Sequence, residues 1–216
     1  MIDASALPNT VPVSLFGQDG DDSLYGGAAA DSLVGAAGAD FLKGNGGNDI
    51  VDGGDNNDTC YGGSGDDLIL GGDGNDVLGA VDPDNTEAGH DTIQGGAIDD
   101  MIRGGDGPDE IWGDSSTDTG YGGADTVYGG TGLANGDDND DDVIHYESRT
   151  GNLYVNIYDN SGNDGAWNGS TSLESDNIHD DIEFIFGGSG NDWLEAVAGF
   201  RFSFRRGVEP VRYEIK

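Results

Sequence analysis

Aspartates recur at nine-residue intervals along much of this sequence, and this regular spacing is the feature best suited to binding chemistry. Each of them is the sixth residue of a unit with the pattern G-G-x-G-x-D-x-U-x, in which U is a large apolar residue. The clearest units, GGSGDDLIL and GGDGNDVLG, lie back to back between Gly62 and Gly79. Glycine turns can point carbonyl oxygens inward beside a carboxylate. Such oxygen-rich, flexible surroundings suit calcium better than zinc or copper.

The in-phase acids are the candidate metal ligands. They are Asp22, Asp31, Asp40, Asp49, Asp58, Asp67, Asp76, Asp91, Asp100, Asp109, Asp125, Asp142 and Asp192. Carbonyl ligands are expected from the glycine turns, represented by Gly62, Gly65, Gly71 and Gly74. A merely solvated acidic surface would not need a nine-residue phase, so the pattern predicts several bound Ca²⁺ ions.

Some units depart from the pattern and are weaker candidates for a complete site. GGAAADSLV at residues 26–34 and GGDNNDTCY at 53–61 lack the third glycine, and GAAGADFLK at 35–43 lacks the second. The acids that flank insertions or stand apart are Asp91, Asp125, Asp142 and Asp192.

The same unit predicts the elements that carry these acids. Glycine at positions 1, 2 and 4 lets the backbone turn through positive φ, and positions 7–9 form a short strand whose eighth residue points to the opposite face from its neighbours. The first eighth-position residues are Leu24, Leu33, Leu42, Val51, Cys60, Ile69 and Leu78. Two units make a coil of about 18 residues, and parallel strands of successive coils stack about 4.8 Å apart.

Over roughly residues 17–195 the chain resembles the repeats-in-toxin (RTX) family of calcium-binding β-rolls. The resemblance implies an all-β fold, a right-handed parallel β-roll solenoid of nonapeptide repeats with a β-rich interlude. It also implies which turns share an ion, namely those of Asp22 with Asp40, Asp31 with Asp49, Asp40 with Asp58, Asp49 with Asp67, and Asp58 with Asp76. Secretion through type I machinery is a further implication.

The chain divides into five predicted segments. They are a lead-in or cap at 1–16, the repeat β-roll at 17–145 with insertions at 80–85 and 113–119, a β-rich interlude at 146–186, a further repeat at 187–195 and a basic tail at 196–216. The tail does not resemble a type I secretion signal. A cap, a truncation scar and a frameshifted end stay open as its interpretation.

Composition limits the possible partners. With 43 acids against 8 bases the formal net charge is -35, which argues against nucleic acid and anionic membrane surfaces. No apolar run is long enough to span a membrane, and the N-terminus lacks the features of an ordinary secretory signal. Low hydrophobicity with high charge is typical of disorder, so we expect the chain to need calcium as a counter-charge to fold.

The remaining polar residues favour structural roles. Cys60 is expected to be buried, and His90, His145 and His179 lack metal-ligand spacing. The run Asp137–Asp142 is similar to an EF-hand loop but lacks its glycine. Packing roles, rather than a sugar-binding platform, are expected for Trp112, Trp167 and Trp193.

Catalytic motifs are absent from the sequence, so a non-enzymatic role is predicted. The favoured function is calcium binding by a secreted, extracellular β-roll that folds on binding the ion. The alternatives are a structural or adhesive surface protein that uses calcium as a stabiliser, and a non-catalytic fragment of an exported hydrolase.

Overall fold

The computed structural model describes residues 1–79, 89–114, 125–130, 142–146, 152–156, 165–167, 177–178, 184–187, 193–196, 203–204 and 212–215. Within these ranges the chain forms strands and turns only. Accordingly, no helix in the described part has the length and apolar character that crossing a membrane requires.

The strands, in chain order, are β1 (Ile2–Asp3), β2 (Ser14–Asp19), β3 (Ser23–Tyr25), β4 (Ser32–Ala37), β5 (Phe41–Gly46), β6 (Ile50–Asp55), β7 (Thr59–Ser64), β8 (Leu68–Asp73), β9 (Val77–Gly79), β10 (Thr92–Ala97), β11 (Met101–Gly105), β12 (Glu110–Asp114), β13 (Thr126–Gly130), β14 (Val143–His145), β15 (Asn152–Asn156), β16 (Gly165–Trp167), β17 (Asn177–Ile178), β18 (Phe184–Gly187), β19 (Trp193–Ala196), β20 (Ser203–Phe204) and β21 (Arg212–Ile215).

Consecutive strands join opposite sheets, which makes the chain a solenoid. One sheet has the order β1-β3-β5-β7-β9-β11-β13-β17, and the facing sheet has the order β2-β4-β6-β8-β10-β12-β14-β18-β20. Strand pairs within both sheets are parallel, as in β5 with β7 and β6 with β8. The predicted all-β, parallel β-roll solenoid is confirmed.

A third sheet of four strands has the order β16-β15-β19-β21. It brings a strand of the predicted interlude, β15, beside a strand of the further repeat, β19, with Val155 in register with Leu194. Strand β21, from the basic tail, pairs with the other edge of β19. Strands β17 and β18, also from the predicted interlude, instead extend the two solenoid sheets.

The register between coils is constant where the units are uninterrupted and survives insertions. Leu24 lies opposite Leu42, whereas Ile69 lies opposite Ile93, across a gap that is six residues longer. Six is the length of the insertion predicted at 80–85, which lies outside the described residues. The insertion predicted at 113–119 begins later than expected, because Asp114 still pairs with Gly96.

The core is a single file of eighth-position side chains between the two sheets. The members that are fully shielded from solvent are Leu24, Leu33, Leu42, Val51, Cys60, Ile69, Leu78, Ile93, Ile102, Ile111, Val127 and Ile144. Leu15, in register with Leu33, extends this file into the predicted lead-in. Ile185, in register with Ile144 and equally shielded, continues the file into β18. Since each strand from β2 to β14 contributes one buried apolar residue, the core is long and narrow.

Positive φ is concentrated at two positions of the turn rather than at three. The second-position glycine Gly72 has φ of 114° and the fourth-position Gly74 has φ of 152°. First-position glycines such as Gly53 and Gly71 are not in this region. The expectation of positive φ at position 1 was therefore wrong, and these glycines serve another purpose.

Ile98 occupies the fourth position of its turn with φ of 77°, which is unfavourable for a β-branched residue. Its side chain is 53% exposed, so a substitution there removes little packing. The left-handed region costs such a residue about 1–2 kcal/mol, whereas glycine loses about 0.5–1 kcal/mol through backbone entropy. We expect Ile98→Gly to raise the unfolding free energy by roughly 0.5–1 kcal/mol, measured by urea denaturation in saturating calcium. Ile98→Ala, which keeps the Cβ, should gain less. A glycine variant less stable than the alanine variant would contradict this assignment of strain.

Candidate metal centre

The sixth-position acids lie inside the solenoid rather than on its surface. Those that are between 1% and 4% exposed are Asp31, Asp40, Asp49, Asp58, Asp67, Asp76, Asp91, Asp100, Asp109, Asp125 and Asp142. Asp22, in the first coil, is half-buried, and Asp192 lies outside the described residues. Buried carboxylates are rare in proteins unless they are paired or hold a metal, so this file of acids needs compensation.

One oxygen of each carboxylate ties two coils together. The Asp40 N–H donates to Asp58 Oδ1 at 2.8 Å, and the Asp22 N–H donates to Asp40 Oδ1 at 2.7 Å. The same bond crosses the insertions, from Asp67 N–H to Asp91 Oδ1 at 2.8 Å. The structure thus stacks the turns that lie two units apart, including those of the five pairs named from the family resemblance.

In several of these acids the other oxygen, Oδ2, is left without a donor from the described residues. Oδ2 of Asp40, Asp49, Asp58 and Asp76 is buried and accepts no hydrogen bond from any described residue. An unsatisfied buried acceptor is costly, and more so when it carries charge. These atoms are the strongest indication that the turns suit a cation.

First-position glycines make room for this oxygen. A Cβ built on Gly53 would lie 2.5 Å from Asp58 Oδ2 and 2.7 Å from the carbonyl oxygen of Gly71, one coil further on. A Cβ on Gly35 would likewise overlap Asp40 Oδ2 and lie 2.6 Å from the Gly53 carbonyl oxygen. A carboxylate oxygen and a carbonyl oxygen therefore converge beside each such glycine, in a cradle that a side chain would fill.

This set of donors fits a hard cation. No group of three or more His, Cys, Asp or Glu side chains converges within the described part of the chain. Side chains alone therefore do not form a zinc-like site there, and backbone carbonyls have to supply the remaining ligands. Mixed carboxylate and carbonyl coordination is what calcium prefers.

Burial makes the acids hard to ionise in the metal-free fold. Loss of hydration raises the pKa of Asp49 and of Asp58 to about 7, and the nearby charges of Asp76 and Asp40 add to the effect at Asp58. Loss of hydration also raises the pKa of Asp76 and of Asp91 to about 6. A nearby positive charge would reverse these shifts.

The other residues singled out from the sequence have surroundings that favour structural roles. Cys60 is buried, and burial raises the pKa of its thiol well above the usual value, so it is a core residue. His145 is stacked between Trp112, at a ring-centroid distance of 4.1 Å, and Phe186, at 5.1 Å. His90 is exposed. Residues 137–141 of the EF-hand-like run, and His179, lie outside the described residues.

Sequence reasoning missed a second ladder at the fifth position. Asn57 Oδ1 accepts the Asn75 N–H at 3.1 Å, and Asp66 Oδ1 accepts the His90 N–H at 3.1 Å. The available signal was the frequent Asp or Asn directly before the sixth-position acid. This ladder is exposed and holds the turns in register without burying charge.

Comparison with known protein families agrees with this geometry. The family model described as RTX calcium-binding nonapeptide repeat (4 copies) matches residues 14–42, 25–60, 43–78, 85–120, 119–132 and 179–199, more than half of the chain in total. That family is a calcium-binding, non-catalytic repeat, and the match indicates no enzymatic family. No curated protein matches the chain significantly.

The raised acid pKa values predict how the metal-free fold responds to pH. The pKa of Asp49 and of Asp58 is about 7 in the fold, against an ordinary value of 3.8 for an aspartate. Between these two pH values the folded state therefore holds protons that the unfolded state has lost. We expect metal-stripped protein to have its greatest strand content below about pH 4 and to lose it progressively towards pH 7. Far-ultraviolet circular dichroism across this range checks the prediction, and equal spectra at pH 5 and pH 8 would contradict it.

Proposed function

The chain belongs to the RTX calcium-binding nonapeptide-repeat family, and from this premise we propose that it is a secreted β-roll module whose folding is driven by calcium. The observation that carries the proposal is the set of buried Oδ2 atoms of Asp40, Asp49, Asp58 and Asp76, for which the described residues supply no hydrogen-bond donor. A fold that buries these atoms needs positive charge at each cradle.

The proposed ligands are the sixth-position carboxylates together with turn carbonyls. Gly71 supports this assignment because its carbonyl oxygen shares a cradle with Asp58 Oδ2, and Gly62 does so with Asp49 Oδ2. The carbonyls of Gly65 and Gly74 are proposed as further ligands from the same turns. When bound, calcium would supply two positive charges and ligand bonds to oxygens that otherwise repel one another.

Charge makes the coupling between binding and folding strong. The net charge of -35 opposes any compact state, and the narrow core contributes one apolar residue per strand. Because the ligands of one cradle come from two coils, the cradle exists only when the coils are stacked. Ion-binding free energy is then also folding free energy.

Secretion fits this coupling. Extracellular calcium modules bind in roughly the 10⁻⁴–10⁻³ M range, which would leave the chain unfolded in a cytosol and folded outside the cell. A single cysteine, Cys60, excludes an intrachain disulfide that would hinder export of an unfolded chain. Type I secretion machinery is the proposed route.

Circular dichroism of metal-stripped protein at pH 7.5 tests the proposal directly. We expect a disordered spectrum without calcium and a strand-rich spectrum in millimolar calcium. Magnesium should be a poor substitute, since it demands near-ideal octahedral geometry and retains its water. A chain that is already strand-rich in chelator would refute coupled folding, and equal action of magnesium would refute the selectivity.

One turn offers a matched pair of variants that locate the site. Asp58 is buried in a cradle, whereas Asp55, three residues earlier, is exposed. Asp58→Asn removes the charge at Oδ2 while keeping an acceptor for the Asp40 N–H, and it should raise the calcium concentration at the folding midpoint by about tenfold. Asp55→Asn makes the same change in net charge and should shift the midpoint less than about twofold. Equal shifts in a calcium titration followed by circular dichroism would overturn the site assignment.

A further inference from the structure

The turn at residues 26–31 differs from its neighbours in how it satisfies its acid. The Gly27 N–H donates to Asp31 Oδ2 at 2.5 Å, and the Val13 N–H donates to Asp31 Oδ1 at 2.8 Å. Asp31 is 4% exposed, and the Gly27 hydrogen bond is buried while the Val13 hydrogen bond is partly buried. Both carboxylate oxygens therefore have backbone donors, and neither depends on a cation for a partner.

The adjacent turns lack the hydrogen bond to Oδ2. Oδ2 of Asp40 and of Asp49 is buried and accepts no hydrogen bond from the described residues. The second-position residues of those turns, Ala36 and Asn45, have φ of 86° and 81°. Gly27, at the same position, is not in the positive-φ region. The different backbone path aims its N–H at the carboxylate.

The sequence explains this path. The turn reads GGAAAD, and its fourth position is Ala29, which is buried. The corresponding glycines Gly38 and Gly47 have φ of 140° and 103°, a conformation that a Cβ disfavours. Alanine at this position disfavours positive φ without forbidding it, as Ile98 at the same position shows, and this turn closes instead through the Gly27 hydrogen bond.

We propose that the turn at 26–31 binds no cation and that the Gly27 amide takes the place of the ion at Asp31. The proposal rests on the proposed function, because it concerns one turn of the same series and states that this turn is stable without an ion. The cradle beside Gly26 has the usual outline, since a Cβ there would lie 2.5 Å from the Gly44 carbonyl oxygen and 2.7 Å from Asp31 Oδ2. The amide hydrogen now points to that oxygen, and its partial positive charge repels a cation.

The first experiment counts bound calcium ions by equilibrium dialysis and elemental analysis at saturating calcium. Asp49→Asn, one coil away in the same column, should lower the number of ions by one or more. Asp31→Asn should leave the number unchanged while reducing thermal stability, because the asparagine amide oxygen can replace only one of the two carboxylate oxygens that accept the Gly27 and Val13 N–H groups. Loss of an ion from Asp31→Asn would overturn the proposal. A wild-type chain that binds no calcium would instead contradict the proposed function itself.

Ala29→Gly provides a second measurement that does not depend on removing an acid. It restores GGAGAD, permits positive φ at position 4 and should free Asp31 Oδ2 from the Gly27 N–H. We expect one additional bound ion relative to wild type. If both asparagine variants fail to fold in calcium, this variant decides: a gain of one ion supports the proposal, and an unchanged number overturns it.

Discussion

Carboxylate oxygens that are buried without a donor set the conditions under which this chain can fold. Asp58 shows how one acid serves two purposes: its Oδ1 accepts the N–H of Asp40 and holds the coils in register, while its Oδ2 faces a carbonyl of the next coil. The first oxygen is satisfied by the chain alone, and the second is not. One residue therefore supplies both the register between coils and the buried negative charge that has to be balanced.

This division of work explains why the units tolerate interruption. The backbone bond to Oδ1 recurs across chain separations of 24, 25 and 33 residues, at Asp91, Asp125 and Asp142 respectively. After each longer separation the next acid and the next eighth-position residue restore the contact between coils in phase. The regular ladder, rather than a fixed coil length, defines the architecture.

Local pattern predicted the parts of the structure that repeat. The nine-residue phase located the buried acids and the apolar file, because both depend on the position within one unit. It placed the beginning of the solenoid too late: Leu15 sits in register with Leu33, although the residues around it lack the glycine–aspartate turn. It also assigned positive φ to first-position glycines, whose real constraint is the approach of a carboxylate from five residues further along the chain. The third sheet, in which β19 pairs with β15 and β21, depends on long-range pairing that no local motif encodes.

Because each coil contacts only the coil before and the coil after it, the solenoid is a one-dimensional array. Loss or duplication of two whole units in the gene would change its length by about 4.8 Å and leave every remaining neighbour contact intact. Loss or duplication of a single unit would instead move every downstream strand from one sheet to the other. Unequal recombination in pairs of units is thus the step by which such a rod can grow or shrink during evolution.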